Sequence, residues 1–136
     1  MKILIVDDSR LLRIANERTL MRAGYEVITA ADGEEGLRLA LETKPDLIVL
    51  DMMLPKLSGQ EVLRQLRLNP ASASTPVIVL TSLSQSNREK LISEGASLYF
   101  EKSLLRMENG SGPLLDAIET LLARRGIAKV AASPAI

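Results

Sequence analysis

Asp7, Asp8 and Asp51 are the residues of this chain whose types and placing point most directly to chemistry. Asp7 and Asp8 close the apolar run Ile3-Leu4-Ile5-Val6, and Asp51 closes Leu47-Ile48-Val49-Leu50. Thr81 follows Pro76-Val77-Ile78-Val79-Leu80, and Lys102 follows Leu98-Tyr99-Phe100-Glu101. Three carboxylates in one pocket repel one another. A hard divalent cation relieves that repulsion, and Mg2+ prefers one or two carboxylates together with waters and phosphate oxygens. Thr81 and Lys102 add a hydroxyl donor and a fixed positive charge. Together they suit an incoming phosphoryl group, whose equatorial oxygens need cations and donors. One carboxylate could then be the nucleophile, as in aspartyl-phosphate chemistry.

The elements that must position these groups can be read from the same runs. A wholly apolar run is a strand buried on both faces, which implies a parallel sheet. Ligands of such sheets bind at the carboxyl ends of the strands, so every polar group just named falls at one rim. Between the strands lie amphipathic stretches, the βαβ signature. Ser9 can cap a first helix through about Ala23, with Gly24 as its stop. Tyr25-Glu26-Val27-Ile28-Thr29 reads as the second strand. Asp32 with Glu35 starts a second helix that ends before Pro45. Ser58 and Glu61 form a capping box for a third helix with Val62, Leu63 and Leu66 on one face, and Ser86 with Glu89 repeats the pattern for a fourth. Pro113 opens a fifth helix with Leu114, Leu115, Ile118, Leu121 and Leu122 toward the sheet. The expected fold is α/β, a flavodoxin-like (βα)5 arrangement whose five-stranded parallel sheet runs in the order 2-1-3-4-5 with helices on both faces. Arg10 and Arg13 are expected on a solvated helix face.

These residues resemble a known family. Val6-Asp7-Asp8-Ser9, Val49-Leu50-Asp51-Met52-Met53-Leu54-Pro55, Leu80-Thr81-Ser82 and Tyr99-Phe100-Glu101-Lys102 are similar to the receiver domains of bacterial response regulators, the CheY-like superfamily of two-component signalling. Gly59 and Gly95-Ala96 fit as well, and the resemblance runs from about residue 2 to residue 124. It implies that Asp51 is the phosphoacceptor, that Asp8 binds Mg2+ directly with Asp7 holding metal-bound water, and that the backbone carbonyl of Met53 is a further ligand. It also implies that Thr81 hydrogen-bonds the phosphoryl oxygen, that Lys102 pairs with it, and that Tyr99 is an aromatic switch. The implied donor is a sensor histidine kinase, a phosphotransfer protein or a small acyl phosphate. The implied output is a protein target on the face of the fourth helix, fifth strand and fifth helix, or a homodimer. The expected role is a phosphorelay switch that catalyses its own phosphorylation without being a turnover enzyme.

Composition bounds this reading. At 136 residues and 46% hydrophobic the chain is one domain with a core of Leu, Ile, Val and Ala, since aromatics are only 2%. Residues 1–125 are expected to form the receiver domain, and 126–136 a flexible tail or linker stub too short for an output domain. The response would then pass through a partner or a second copy. Lys plus Arg equals Asp plus Glu at 17 each, which argues against direct nucleic-acid binding. Cys is absent, so no disulfide framework or thiol metal site exists. No signal pattern or long apolar segment appears, so a cytoplasmic protein without membrane insertion is expected. His is absent too, so the phosphoryl group must come from another molecule.

Three departures from the family stand out. Ser103 occupies the place after Lys102 where relatives usually carry a cis-joined Pro. A cis bond before a non-proline residue costs ~3 kcal/mol against ~0.5–1 before proline, so a trans bond or an unusual loop is expected, with some shift of Lys102. The segment 103–112 is longer and richer in turn residues than the family's usual connection, which alters the edge of the output face. Met53 and Leu83, two residues beyond Asp51 and Thr81, are apolar where relatives can carry polar side chains that orient the hydrolytic water, so self-dephosphorylation should be slow. Rival functions fare worse. A haloacid-dehalogenase-like phosphatase needs an acid at position 53, and a flavin or nucleotide binder needs a phosphate loop where Asp7-Asp8 would repel the anion. A receiver-like interaction scaffold that never uses phosphate is the remaining alternative.

Overall fold

Each apolar run becomes a strand in the computed structural model, which describes residues 1–81, 92, 95–101 and 112–132. The strands are β1 (Lys2–Val6), β2 (Glu26–Ala30), β3 (Leu47–Asp51), β4 (Val77–Thr81) and β5 (Leu98–Glu101). All neighbours pair in parallel, in the order β2-β1-β3-β4-β5. The helices among the described residues are α1 (Arg10–Arg22), α2 (Gly33–Thr43), α3 (Gly59–Leu68) and α4 (Gly112–Ala132). The last is the helix expected as fifth. The one expected to start at Ser86 lies outside the described residues, as do most of the 103–112 segment and the Lys102–Ser103 bond.

Successive strand residues point to opposite faces, so one strand feeds two cores. Leu4, Val6, Ile48, Leu50, Val77 and Val79 pack with Val62, Leu63 and Leu66 of α3 and Ala40 of α2. Ile3, Ile5, Leu47, Val49, Ile78 and Leu80 pack with Leu20 of α1 and Leu114, Ile118 and Leu122 of α4. Burying one such side chain contributes about 1.5–3 kcal/mol, so these two layers hold the strand ends in place.

The caps follow the sequence signals. Ser9, Asp32 and Ser58 accept the amides of Leu12, Glu35 and Glu61. Two boundaries differ from expectation. The second strand starts at Glu26 because the Tyr25 amide donates to Leu20 O at 3.1 Å, completing the end of α1 beyond Gly24 (φ +96). The tail expected after Arg125 is helical as far as Ala132. A glycine such as Gly126 costs a helix only about 1 kcal/mol against Ala, and the first true barrier is Pro134.

At the sheet edge opposite the carboxyl ends, Arg67 ties three segments together. Its Nε and Nη2 donate to Gly95 O (2.9 and 2.8 Å), and Nη1 donates to Thr75 O (2.7 Å), Ser72 O (3.1 Å) and Ala73 O (3.2 Å). Burial pushes its guanidinium pKa below the usual value. Among the described residues, no helix is long and apolar enough to cross a membrane.

Candidate functional site

The register of β1 and β3 builds the site. Val6 pairs with Leu50, so Asp7 and Asp51 stand one step further along adjacent parallel strands. Both carboxylates are buried, at 0% and 1% exposure, while Asp8 is exposed. Oxygens of Asp7, Asp8 and Asp51 lie within 4.8 Å of one another. The expected acidic cluster is therefore assembled at the carboxyl ends of the strands.

Each buried carboxylate turns the chain that follows it. Asp7 Oδ1 accepts the Ser9 amide at 2.9 Å, and Asp51 Oδ1 accepts the Met53 amide at 3.1 Å. These are Asx turns, in which a side-chain oxygen takes the amide two residues on. Met53 thus lies in the turn beside Asp51 and is 58% exposed.

The segment 52–58 is pinned at both ends. The Gly59 amide donates to Met52 O at 3.1 Å, and a Cβ on Gly59 would stand 2.1 Å from Asp51 O. The Gly33 amide donates to Pro55 O at 3.3 Å, and a Cβ there would stand 1.7 Å from Leu57 O. Lys56 takes a left-handed conformation (φ 68), and its Nζ lies 3.7 Å from Asp32 Oδ2.

Arg13 corrects an expectation. It is half-buried rather than fully solvated, and its Nη1 donates to Asp7 O at 2.8 Å. Side chains in helices lean toward the helix N-terminus, which carries this guanidinium back over the turn that holds Asp7. Arg10 is exposed as expected.

Thr81 is placed by its backbone at the end of β4, one step past Leu80, which pairs with Asp51. Tyr99 is placed in β5 opposite Val79. Glu101 pairs with Thr81, and Lys102, next in the chain, lies outside the described residues together with Ser103 and Leu83.

The donor set fits a small hard cation. Opposite ligands of an octahedral Mg2+ at ~2.1 Å are about 4.2 Å apart, close to the spread of the three carboxylates. All three offer oxygen, and the sequence has no Cys or His to supply the softer thiolate or imidazole donors that favour zinc. A cleft of about 320 Å³ lies at the start of α3, and its described lining, Ser58, Gln60, Glu61 and Arg64, includes none of the three aspartates. An ion site at an open sheet rim needs no deep cavity.

The sequence placed Arg13 on a solvated face and gave no role to Gly33 or to the Asp32–Lys56 pair. The spacing of Arg13 six residues after Asp7 is a usable signal. Gly33 is detectable only as a glycine just inside a helix start.

Comparison with known proteins agrees with this geometry. The alkaline phosphatase synthesis transcriptional regulatory protein PhoP of Bacillus subtilis (strain 168) is 52% identical over 81 residues, 60% of this chain and 33% of that protein. The transcriptional regulatory protein AfsQ1 of Streptomyces coelicolor is 38% identical over 125 residues, 91% of this chain and 52% of that protein. The chain thus spans between a third and about half of the length of these curated relatives. A solved response regulator receiver domain protein from Clostridium thermocellum superposes with a TM-score of 0.81 at 31% identity, covering 93% of this chain and 98% of that one. A family model described as the response regulator receiver domain matches residues 3–109, and the chain belongs to that family.

Proposed function

We propose that this chain is a phosphorylation-operated signalling switch in which Asp51 accepts a phosphoryl group with the help of Mg2+. The observation that carries the reading is the convergence of the Asp7, Asp8 and Asp51 oxygens within 4.8 Å at the rim where β1 and β3 end. Asp7, Asp8, Asp51 and the Met53 carbonyl would hold the ion, which supplies the positive charge that lets an anionic nucleophile meet an anionic phosphoryl group. A carboxylate oxygen of Asp51 forms a bond to phosphorus. The bond from phosphorus to the donor breaks, and the donor leaves with the electron pair. The donor is a sensor histidine kinase, a phosphotransfer protein or a small acyl phosphate.

Thr81, at the end of β4, would donate a hydrogen bond to the phosphoryl group, and Lys102, the residue that follows Glu101 in the sequence, would neutralise it. Tyr99 would follow Thr81 and so alter the face made by the segment before β5, β5 itself and α4. A target protein or a second copy would read that face, in the cytoplasm, without direct contact to nucleic acid. The switching unit would occupy residues 1–125, with 126–136 as its extension. A receiver domain is a switch rather than a turnover enzyme, and apolar Met53 and Leu83 favour a long-lived acyl phosphate.

Intact-mass analysis after incubation with a small acyl phosphate tests this. A single phosphoryl adduct that requires both Mg2+ and Asp51, and is lost in Asp51→Asn, is expected. No adduct on the folded protein would instead support a receiver-like scaffold that works without phosphate. Rapid loss of the adduct in Mg2+ without a phosphatase would refute the slow hydrolysis.

A further inference from the structure

We infer that Arg13 is a positioning residue for cation binding at the acidic cluster, acting through the peptide that joins Asp7 to Asp8; the inference rests on the Mg2+ reading above. Hydrogen bonds hold both the backbone and the side chain of Asp7. Its amide donates to Ala30 O of β2 at 3.1 Å, its Oδ1 accepts the Ser9 amide at 2.9 Å, and its carbonyl accepts from Arg13 Nη1 at 2.8 Å. The first two bonds fix the strand end and the side chain. The third fixes the Asp7–Asp8 peptide plane, because a carbonyl oxygen and the following amide nitrogen lie in one rigid unit.

That plane matters because Asp8 is exposed. Among the described residues no core packs over its carboxylate, so its position relative to Asp7 and Asp51 is inherited from the backbone before it. Arg13 itself is well anchored. It is half-buried, and its backbone amide closes on Ser9 O at 2.9 Å within the first turn of α1. A Lys at this place would keep the charge with a single flexible ammonium in place of the planar fork.

Charge alone makes the opposite prediction. A guanidinium near three carboxylates opposes the arrival of a dication, so its removal would tighten Mg2+ binding. Positioning predicts that removal weakens it, which gives the experiment a sign as well as a size.

The test uses the full chain with Arg13→Met and Arg13→Lys. Mg2+ is titrated against the backbone amide resonances of residues 7–9 and 51–53, and thermal melting is followed in parallel without Mg2+. Arg13→Met is expected to bind Mg2+ about 10-fold more weakly, at the lower end of what residues that orient metal ligands contribute. Arg13→Lys should recover part of that loss. A merely structural role would lower both melting curves without an affinity order of wild type, Lys, Met. Equal or tighter Mg2+ binding by Arg13→Met overturns the inference alone. No Mg2+ binding by the wild type overturns the switch reading and the inference with it. Should Arg13→Met fail to fold, Arg13→Gln takes its place: binding weaker than in Arg13→Lys supports positioning, and equal or tighter binding overturns it.

Discussion

The turn after β1 and the turn after β3 each carry a buried carboxylate whose Oδ1 accepts the amide two residues on, Ser9 to Asp7 at 2.9 Å and Met53 to Asp51 at 3.1 Å. Beyond that likeness they are held differently. The β1 turn is braced by a long polar side chain, with Arg13 reaching the Asp7 carbonyl at 2.8 Å. The β3 turn is braced by bare backbone, because Gly59 at the start of α3 leaves no room for a Cβ, which would stand 2.1 Å from Asp51 O and 2.7 Å from Met52 Cα. A polar brace can stretch, rehydrate or be imitated by another donor. A glycine contact admits no substitute, because any side chain must displace backbone. Damage at the β3 turn should therefore appear first in stability, and damage at the β1 turn first in ion binding.

The strongest way to break this comparison is Gly59→Ala. The added methyl meets the end of a central strand that is buried on both faces and cannot retreat. A loss of about 3 kcal/mol is expected, at the upper end for overpacking, together with poor phosphorylation of the folded fraction. Gly33→Ala gives the control. Its Cβ would clash harder, 1.7 Å from Leu57 O, again with backbone, but that of a connecting segment and not of a central strand. About 2 kcal/mol is expected there, within the same overpacking range. Urea denaturation of both variants decides. If Gly33→Ala costs as much as Gly59→Ala, the 52–58 segment is as rigid as the strand end and the distinction fails.

The two braces also differ in how legible they are. Apolar runs ending in Asp7, Asp8 and Asp51 made both the sheet and its rim legible, because a run buried on two faces belongs to a parallel sheet and puts the polar residues that end it at the carboxyl rim. The capping serines and the apolar face of α3 were legible for the same local reason: each signal lies within one turn of the element it describes. Arg13 was misread because helical periodicity says which face a residue occupies and not how far a long side chain leans back over the helix start. Gly33 carries only the faint local signal of a glycine just inside a helix start, since its constraint comes from Leu57, which only the folded chain brings near. Tyr25 was placed in a strand by its type, yet its amide belongs to the end of α1.

A second arginine sharpens the contrast. Arg67 is also half-buried and also donates to carbonyls, but at the opposite edge of the sheet, on Gly95, Thr75, Ser72 and Ala73. Arg67→Met should cost about 2 kcal/mol, since hydrogen bonds to a charged group contribute roughly 1.5–3 kcal/mol and water replaces part of what is lost. Thermal or urea unfolding measures that cost. Mg2+ affinity should stay at the wild-type value, because among the described residues the bonds of Arg67 go to carbonyls at the opposite edge of the sheet. A fall in Mg2+ affinity matching that of Arg13→Met would mean that general loosening, not the Asp7 carbonyl, sets ion binding.

The smallest effect comes from a pair that neither turn needs. Glu61, on the first turn of α3, accepts hydrogen bonds from Arg64, whose Nε is 2.8 Å away, and from Gln65 Nε2 at 3.1 Å. These bonds, Arg64's above all, hold its pKa at about 2 against an ordinary 4.5. Because the folded value lies below the unfolded one, the pair's contribution to stability is complete above pH 4.5 and is lost as pH falls toward 2. The group is fully exposed, so solvent screening keeps that contribution small. Following the Glu61 side-chain carboxyl by NMR should give a midpoint near the lowered value, and Arg64→Gln should move it back up. The stability difference between wild type and Arg64→Gln should be level at neutral pH and shrink on acidification, while Asp51 phosphorylation at neutral pH is the same in both. A wild-type midpoint at the ordinary carboxylate value would show that the pair does not persist in solution. A slower phosphorylation of Arg64→Gln would show that the start of α3 reports to Asp51 through more than the Gly59 contact.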